Sequence, residues 1–220
     1  DFPIKTYACS LFIGSEVKNF CSNLLIHDWK HKMTQGPYSL LAALEKVKDK
    51  GKPPIHLWNP ENVKDIDMEI KADGTWYYMG TPIERPRLVH LFSSVMKLED
   101  GDYFLVTPVE KCRIKVADVP FQIVLLNNQG EAEAQVLELT TNMSESFEVG
   151  PEHDLRVEID KATDEPALYV FVRDGLEARI NRNVYYQLAD LLGEYLVSGT
   201  PWHGLWSQGV FFPVIESSRL

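Results

Sequence analysis

Arg85 and Arg182 stand in the same short pattern, Ile83-Glu84-Arg85 and Ile180-Asn181-Arg182, each where an amphipathic helix is expected to open. A helix start offers N–H groups and partial positive charge, and a guanidinium beside it adds a planar fork of donors. The chemistry that fits is anion binding. The competing role is structural, an arginine tying its helix to a carboxylate such as Asp67 or Glu110.

Other constellations are less complete. Asp65 and Asp67, two apart on an expected strand, face one side, as a divalent metal or an acid/base pair would require. No histidine or third carboxylate joins them at a helpful local spacing, and solvated strand charges are the simpler reading. His56-Leu57-Trp58-Asn59-Pro60 sets an imidazole, an indole and an amide in one loop, as a ligand platform or as a plug over the core. Thr107-Pro108-Val109-Glu110-Lys111 is a polar bend that serves as a site or as a solvated turn. Pro201-Trp202-His203-Gly204-Leu205-Trp206-Ser207 is an aromatic return loop near the C-terminus.

Cys21, His27 and His31 have a spacing that suits zinc but lack a fourth ligand, and Cys112 reads as a packed, inert thiol. The phosphate-binding Gly-rich loops, the G-x-S-x-G elbow and the H-E-x-x-H helix are all absent. No complete catalytic set and no cofactor motif is present.

The elements that must position these groups recur. Residues 66–92 and 155–188 both read as strand, turn, strand, then Ile-x-Arg and a helix. The surface between two such copies is a natural place for a ligand. Leu40, Leu41, Leu44 and Val47 mark a helix over 37–51, with Pro37 near its start. A second helix is expected from Glu84 or Arg85 to Lys97, because a start at Thr81 would carry Pro86 past the first turn. Glu99-Asp100-Gly101-Asp102 reads as a domain boundary. Seven or eight short strands follow it, and one long helix over 183–197 is stopped by Gly199 and Pro201.

The expected class is therefore α+β in two domains. Residues 34–99 form a small α/β domain, and 100–216 a bent sheet or small barrel closed by a C-terminal helix. Residues 1–33 read as a poorly ordered N-terminal extension.

Bulk properties narrow the functions. The 220-residue chain is 45% hydrophobic, enough for a substantial core. No apolar run approaches the ~20 residues of a membrane helix. Three cysteines without a C-x-x-C pair suggest a reducing, cytoplasmic setting. The net charge is −10, of which residues 131–165 carry −9, from eleven acids against Arg156 and Lys161. Such a strip repels phosphate backbones, so polymeric DNA or RNA is not expected as a partner. It serves solubility, or docks a basic protein partner.

As a block, Pro53-Pro54-Ile55-His56-Leu57-Trp58-Asn59-Pro60, Asp73-Gly74-Thr75-Trp76-Tyr77-Tyr78, Gly80-Thr81-Pro82-Ile83-Glu84-Arg85 and Leu105-Val106-Thr107-Pro108-Val109-Glu110-Lys111 resembles bacterial domain-of-unknown-function family 1285. Ala178-Arg179-Ile180-Asn181-Arg182, Trp206-Ser207 and Phe211-Phe212-Pro213 continue the similarity. The resemblance implies two domains on a duplicated motif, the second superficially pleckstrin-homology-like. It also implies a nucleotide-like ligand at the domain interface and a role in signalling. It carries over no catalytic residue.

Together these readings give a cytoplasmic ligand-sensing or adaptor protein without enzymatic activity. The ligand-binding residues expected are His56, Trp58, Asn59, Asp67, Trp76, Arg85, Thr107, Glu110, Lys111, Arg179, Arg182 and Trp206. One alternative is a metal-dependent hydrolase or transferase using Asp65, Asp67 and Glu110. Another is a protein–protein scaffold acting through 131–165.

Overall fold

Period-two apolar patterning governs most of the described residues, and their strands fill three sheets. The computed structural model describes residues 53–159 and 166–219. The N-terminal extension 1–33, the helix expected over 37–51 and the Cys21/His27/His31 spacing lie outside them.

The first sheet contains β1 (Val63–Ile70), β2 (Trp76–Tyr78), β3 (Thr81–Pro82), β4 (Met96–Glu99), β5 (Asp102–Val106) and β6 (Lys111–Val116), with helix α1 (Pro86–Ser93) between β3 and β4. Its order is β3-β2-β1-β6-β5-β4: two antiparallel meanders joined by a parallel β1·β6 ladder. Met68 and Ile70 bury the inner face of β1, and Phe92 of α1 stacks on Trp76 with ring centres 6.2 Å apart. Pro86 occupies the first turn of α1, where its missing N–H costs nothing.

The second sheet holds β7 (Phe121–Gln129), β8 (Val136–Thr141), β9 (Ser146–Glu148), β10 (Leu155–Ile159), β11 (Pro166–Arg173) and β12 (Leu176–Ile180). Its order is β10-β11-β12-β7-β8-β9, with β7·β12 parallel. The edge strands β9 and β10 are nevertheless joined by residues 149–154 alone. In a flat six-stranded sheet these edges would lie roughly 24 Å apart. Six residues folded back through the Gly150↔His153 bridge fall well short of that, so the sheet curls into a half-barrel.

Helix α2 (Arg182–Ala189) follows, and then β13 (Gly193–Val197), β14 (Thr200–Ser207) and β15 (Val210–Glu216) form a third, antiparallel sheet. Val184 and Leu188 bury the inner face of α2. Strand β14 packs against β8 and the short 3-10 turn Ala132–Ala134. The Ser207 hydroxyl makes the joint. It accepts from Leu137 N–H at 3.0 Å and donates to Val149 C=O at 2.6 Å.

These sheets overturn the α+β class. The protein is mostly β, and among the described residues only two α-helices occur. The helix expected to reach Lys97 ends at Ser93, where the Ser93 and Ser94 hydroxyls donate back to the His90 and Leu91 carbonyls. The helix expected over 183–197 ends at Ala189, and its second half is strand β13. Among the described residues no C-terminal helix closes the half-barrel; a third sheet follows α2. The aromatic return loop is strand β14. Glu99-Asp100-Gly101-Asp102 is a hairpin turn inside the first sheet, with positive φ at Asp100 and Gly101 that matches strand twist.

The duplication is longer than the sequence showed. Strands β1-β2-β3, α1 and β4-β5-β6 correspond to β10-β11-β12, α2 and β13-β14-β15 in order and kind. Strands β7-β8-β9 are an additional meander in the second half.

A cleft at the start of α2

Where the first sheet meets the half-barrel, the contact is close. Gly74 turns β1 into β2 with φ +80°, and a Cβ there would lie 2.8 Å from Gln122 Cγ. Gln122 Nε2 donates to Ala72 C=O at 3.0 Å, and Arg173 Nη2 donates to Ser93 C=O at 2.8 Å. Beside this joint opens a cleft of about 490 Å³. Ala72 and Asp73 form one wall. The other wall comes from Leu168, Arg179, Ile180, Asn181, Arg182, Tyr185 and Tyr186.

Local sequence explains the placement. Arg179 alternates with the buried Ala178 and Ile180 on β12, so it turns away from the core. Asn181 caps α2 by accepting from Val184 N–H at 2.9 Å, which fixes the helix start at Arg182. The positive end of α2 therefore opens on the cleft. Arg179 Nη1 donates to Asp118 at 3.0 Å, and its guanidinium lies 5.9 Å from the Tyr169 ring centre. On that ring Arg156 stacks at 4.3 Å, held by a bidentate pair with Glu177 at 3.0 and 2.8 Å. Burial, and then Asp118, raise the Tyr169 hydroxyl pKa, so the phenol stays protonated beside that carboxylate. Arg182 Nε donates to Tyr186 Oη at 2.8 Å. Asp73 brings negative charge to the opposite wall. Its carboxylate accepts from Thr75 N–H at 2.9 Å, and backbone hydrogen bonding lowers its pKa.

Of the residues expected to bind a ligand, Arg179 and Arg182 meet in this cleft. The others are dispersed. Arg85 is exposed at the N-cap of α1. His56 and Asn59 are exposed and Trp58 half-buried around the short turn Ile55–Leu57. Asp67 is an exposed position of β1, and its carbonyl accepts from Met79 N–H at 2.8 Å. Trp76 is a core residue whose Nε1 meets no hydrogen-bond partner among the described residues.

Thr107 is fully buried, its hydroxyl bonded to Glu110 C=O and N–H at 3.0 and 3.1 Å, so the polar bend is a closed turn. Glu110 pairs with Lys64 at 2.7 Å, and Lys111 pairs with Glu99 while lying 4.6 Å over the Phe104 ring. Trp206 packs with Tyr195 and Phe211 at 5.0 and 5.3 Å. The sequence reading missed Asp73, Gln122, Asn181, Tyr185 and Tyr186. The N-cap pattern at Asn181 was the available signal for the last three.

Among the described residues no group of three His, Cys, Asp or Glu side chains could hold a metal ion. Asp65 is exposed and faces Arg113 at 3.7 Å. The described acids of 131–159 are spread from the 3-10 turn before β8 (Glu131, Glu133) through the β8–β9 hairpin (Glu138, Glu145, Glu148) and the 149–154 connection (Glu152, Asp154) to β10 (Glu158). Several are already engaged: Glu138 with Asn127, Glu145 with Arg173 and Glu158 with Arg156. Among the described residues no helix is long and apolar enough to cross a membrane.

Two family models meet at the seam between the sheets. The N-terminal domain of the domain of unknown function DUF1285 matches residues 53–119, and the C-terminal domain of the DUF1285 protein of unknown function matches 120–214. The chain is also similar to the crystal structure of a DUF1285 family protein from Silicibacter pomeroyi DSS-3. That likeness has 48% identity over 82% of this chain and 96% of that one, with a TM-score of 0.74. The chain belongs to the DUF1285 family. A DUF1285 family protein from Shewanella baltica OS155 is similar at 26% identity over 58% of this chain and 94% of that one, with a TM-score of 0.47. Among curated proteins none matches this DUF1285 chain.

Proposed function

We propose that this DUF1285 protein is a cytoplasmic sensor or adaptor that binds a small anionic, nucleotide-like ligand without transforming it. What supports the reading is the convergence of Arg179, Arg182 and the α2 start on one cleft of about 490 Å³. Two guanidiniums and the helix end supply positive charge for phosphate or carboxylate oxygens. Tyr185 and Tyr186, with ring centres 6.0 Å apart, offer aromatic surface for a planar ring. Asp73 opposes a bare anion and favours a ligand that also carries N–H donors, as a nucleobase does.

Thermal-shift titration with inorganic pyrophosphate and a panel of nucleotides tests this. A ligand at about 100 times its Kd adds roughly 2.7 kcal/mol, a Tm rise of about 5–10 °C for a chain of this size. The rise should vanish in Arg179→Ala and Arg182→Ala. Asp73→Asn should instead tighten pyrophosphate. No shift with any anion, or equal shifts in both arginine variants, overturns the proposal.

A further inference from the structure

The two copies of the strand–helix–strand unit differ at their seam. In the first copy β1 and β6 pair in parallel and seal two meanders into one sheet. Their counterparts in the second copy are β10 and β15. Among the described residues β10 pairs only with β11 and β15 only with β14, so within them each ends its sheet with one edge open. A cleft of about 570 Å³ takes the place of the ladder, lined by Leu155, Val157 and Ile159 from β10 and by Val214 and Ile215 from β15, with Trp202 beside them.

The occupant follows from what the walls lack. Each open edge presents backbone N–H and C=O groups along its length, and an extended polypeptide is the chemistry that matches two such edges at once. A nucleotide or an acyl chain has no such ladder. Apolar residues on β10 alternate with exposed Arg156 and Glu158, so side-chain sites in the cleft recur at two-residue spacing, the period of a strand. Pro213 offers no N–H, which leaves residues 214–216 to anchor the ladder on β15. At that end Glu216 accepts from Ser218 Oγ at 3.1 Å, and Arg219 lines the cleft with positive charge.

We propose that the β10/β15 seam accepts an extended segment of a partner protein as an added strand. Its apolar side chains would sit at alternate positions and a carboxylate would lie against Arg219. Main-chain bonds supply affinity in such an arrangement, and the alternating pockets supply selectivity. This site shares no residue with the anion cleft.

The probe is a fluorescein-labelled peptide of alternating valine and threonine ending in aspartate, titrated with the full chain by anisotropy. Binding should weaken by roughly tenfold or more when alternate peptide amides are N-methylated, since ladder bonds are then lost. Val157→Arg should also abolish binding while unfolding normally in urea. Arg182→Ala should bind unchanged, which separates this site from the anion cleft. No binding at millimolar protein, equal binding of the N-methylated peptide, or full binding by Val157→Arg each overturns the proposal. So does concentration-dependent dimerisation that Val157→Arg prevents, because the seam would then belong to a second copy of this chain.

Discussion

Ser207→Ala tests how the third sheet is held. Leu137 and Val149 form the last pair of the β8–β9 side of the half-barrel. One bond between them is direct, Val149 N–H to Leu137 C=O at 2.8 Å. The return bond is relayed through the Ser207 hydroxyl of β14. Ser207 is fully buried, so alanine leaves a donor and an acceptor with neither partner nor solvent. Each orphaned group costs about 1–3 kcal/mol, and partial closure of Leu137 onto Val149 recovers some of it. The expected loss is roughly 2–4 kcal/mol, a Tm decrease of about 4–16 °C. Urea unfolding gives the free energy, and amide hydrogen exchange at Leu137 reports the site itself. Ser93→Ala is the control, because its buried hydroxyl bonds only within α1. If Ser207→Ala costs no more than Ser93→Ala, or Leu137 exchange is unchanged, the hydroxyl does not relay the ladder.

Two further outcomes follow from buried groups. A Cβ on Gly204 would lie 2.3 Å from Phe212 C=O, a backbone atom of the paired strand, so Gly204→Ala should cost more than about 2 kcal/mol in urea unfolding and loosen β14 from β15. Burial pushes the Cys112 thiol up to about 11, with Tyr103 and Tyr169 raised as well. The folded chain keeps these protons while the unfolded chain releases them, so their contribution is complete below about pH 8.5 and is lost as pH rises toward 11. Cys112→Ala should reduce the fall in stability between pH 8 and 10.5 by about 2–3 kcal/mol; an unchanged pH slope would refute the assignment.

Strand content was legible wherever alternation was strict and short turns bounded it, as in β1 and β10. The two helices were legible at their starts, because Pro86 and Asn181 are local signals. Their ends were not. Leu88, Leu91, Phe92, Val95 and Leu98 fit a helical stripe as well as a helix followed by a strand, and Leu188, Leu192, Tyr195 and Leu196 repeat that ambiguity. The deciding residues lay further on. Asp100-Gly101 and Ser198-Gly199 both adopt positive φ and turn hairpins, whereas the sequence reading took them as a boundary and a helix stop. Misreading Ser198-Gly199 hid β13, and with it the third sheet. Of the candidate site, the arginines were visible as a repeated pattern. That Arg182 meets Arg179 and Asp73, while Arg85 stands elsewhere, depends on the curl of the second sheet, which no local pattern encodes.

The parallel ladders also set how this chain must fold. Val63 faces Lys111 across β1·β6, and Phe121 faces Ala178 across β7·β12, separations of 48 and 57 residues. Hairpins close on a scale of about 1–10 μs, but each sheet is complete only after a loop of that length closes and its entropy is spent. Refolding should therefore be slow for the chain's size, in the range of about milliseconds to seconds. Until the ladders form, the inner strands β1, β6, β7 and β12 present the same open edges that β10 and β15 keep, so the yield of refolding should fall as protein concentration rises.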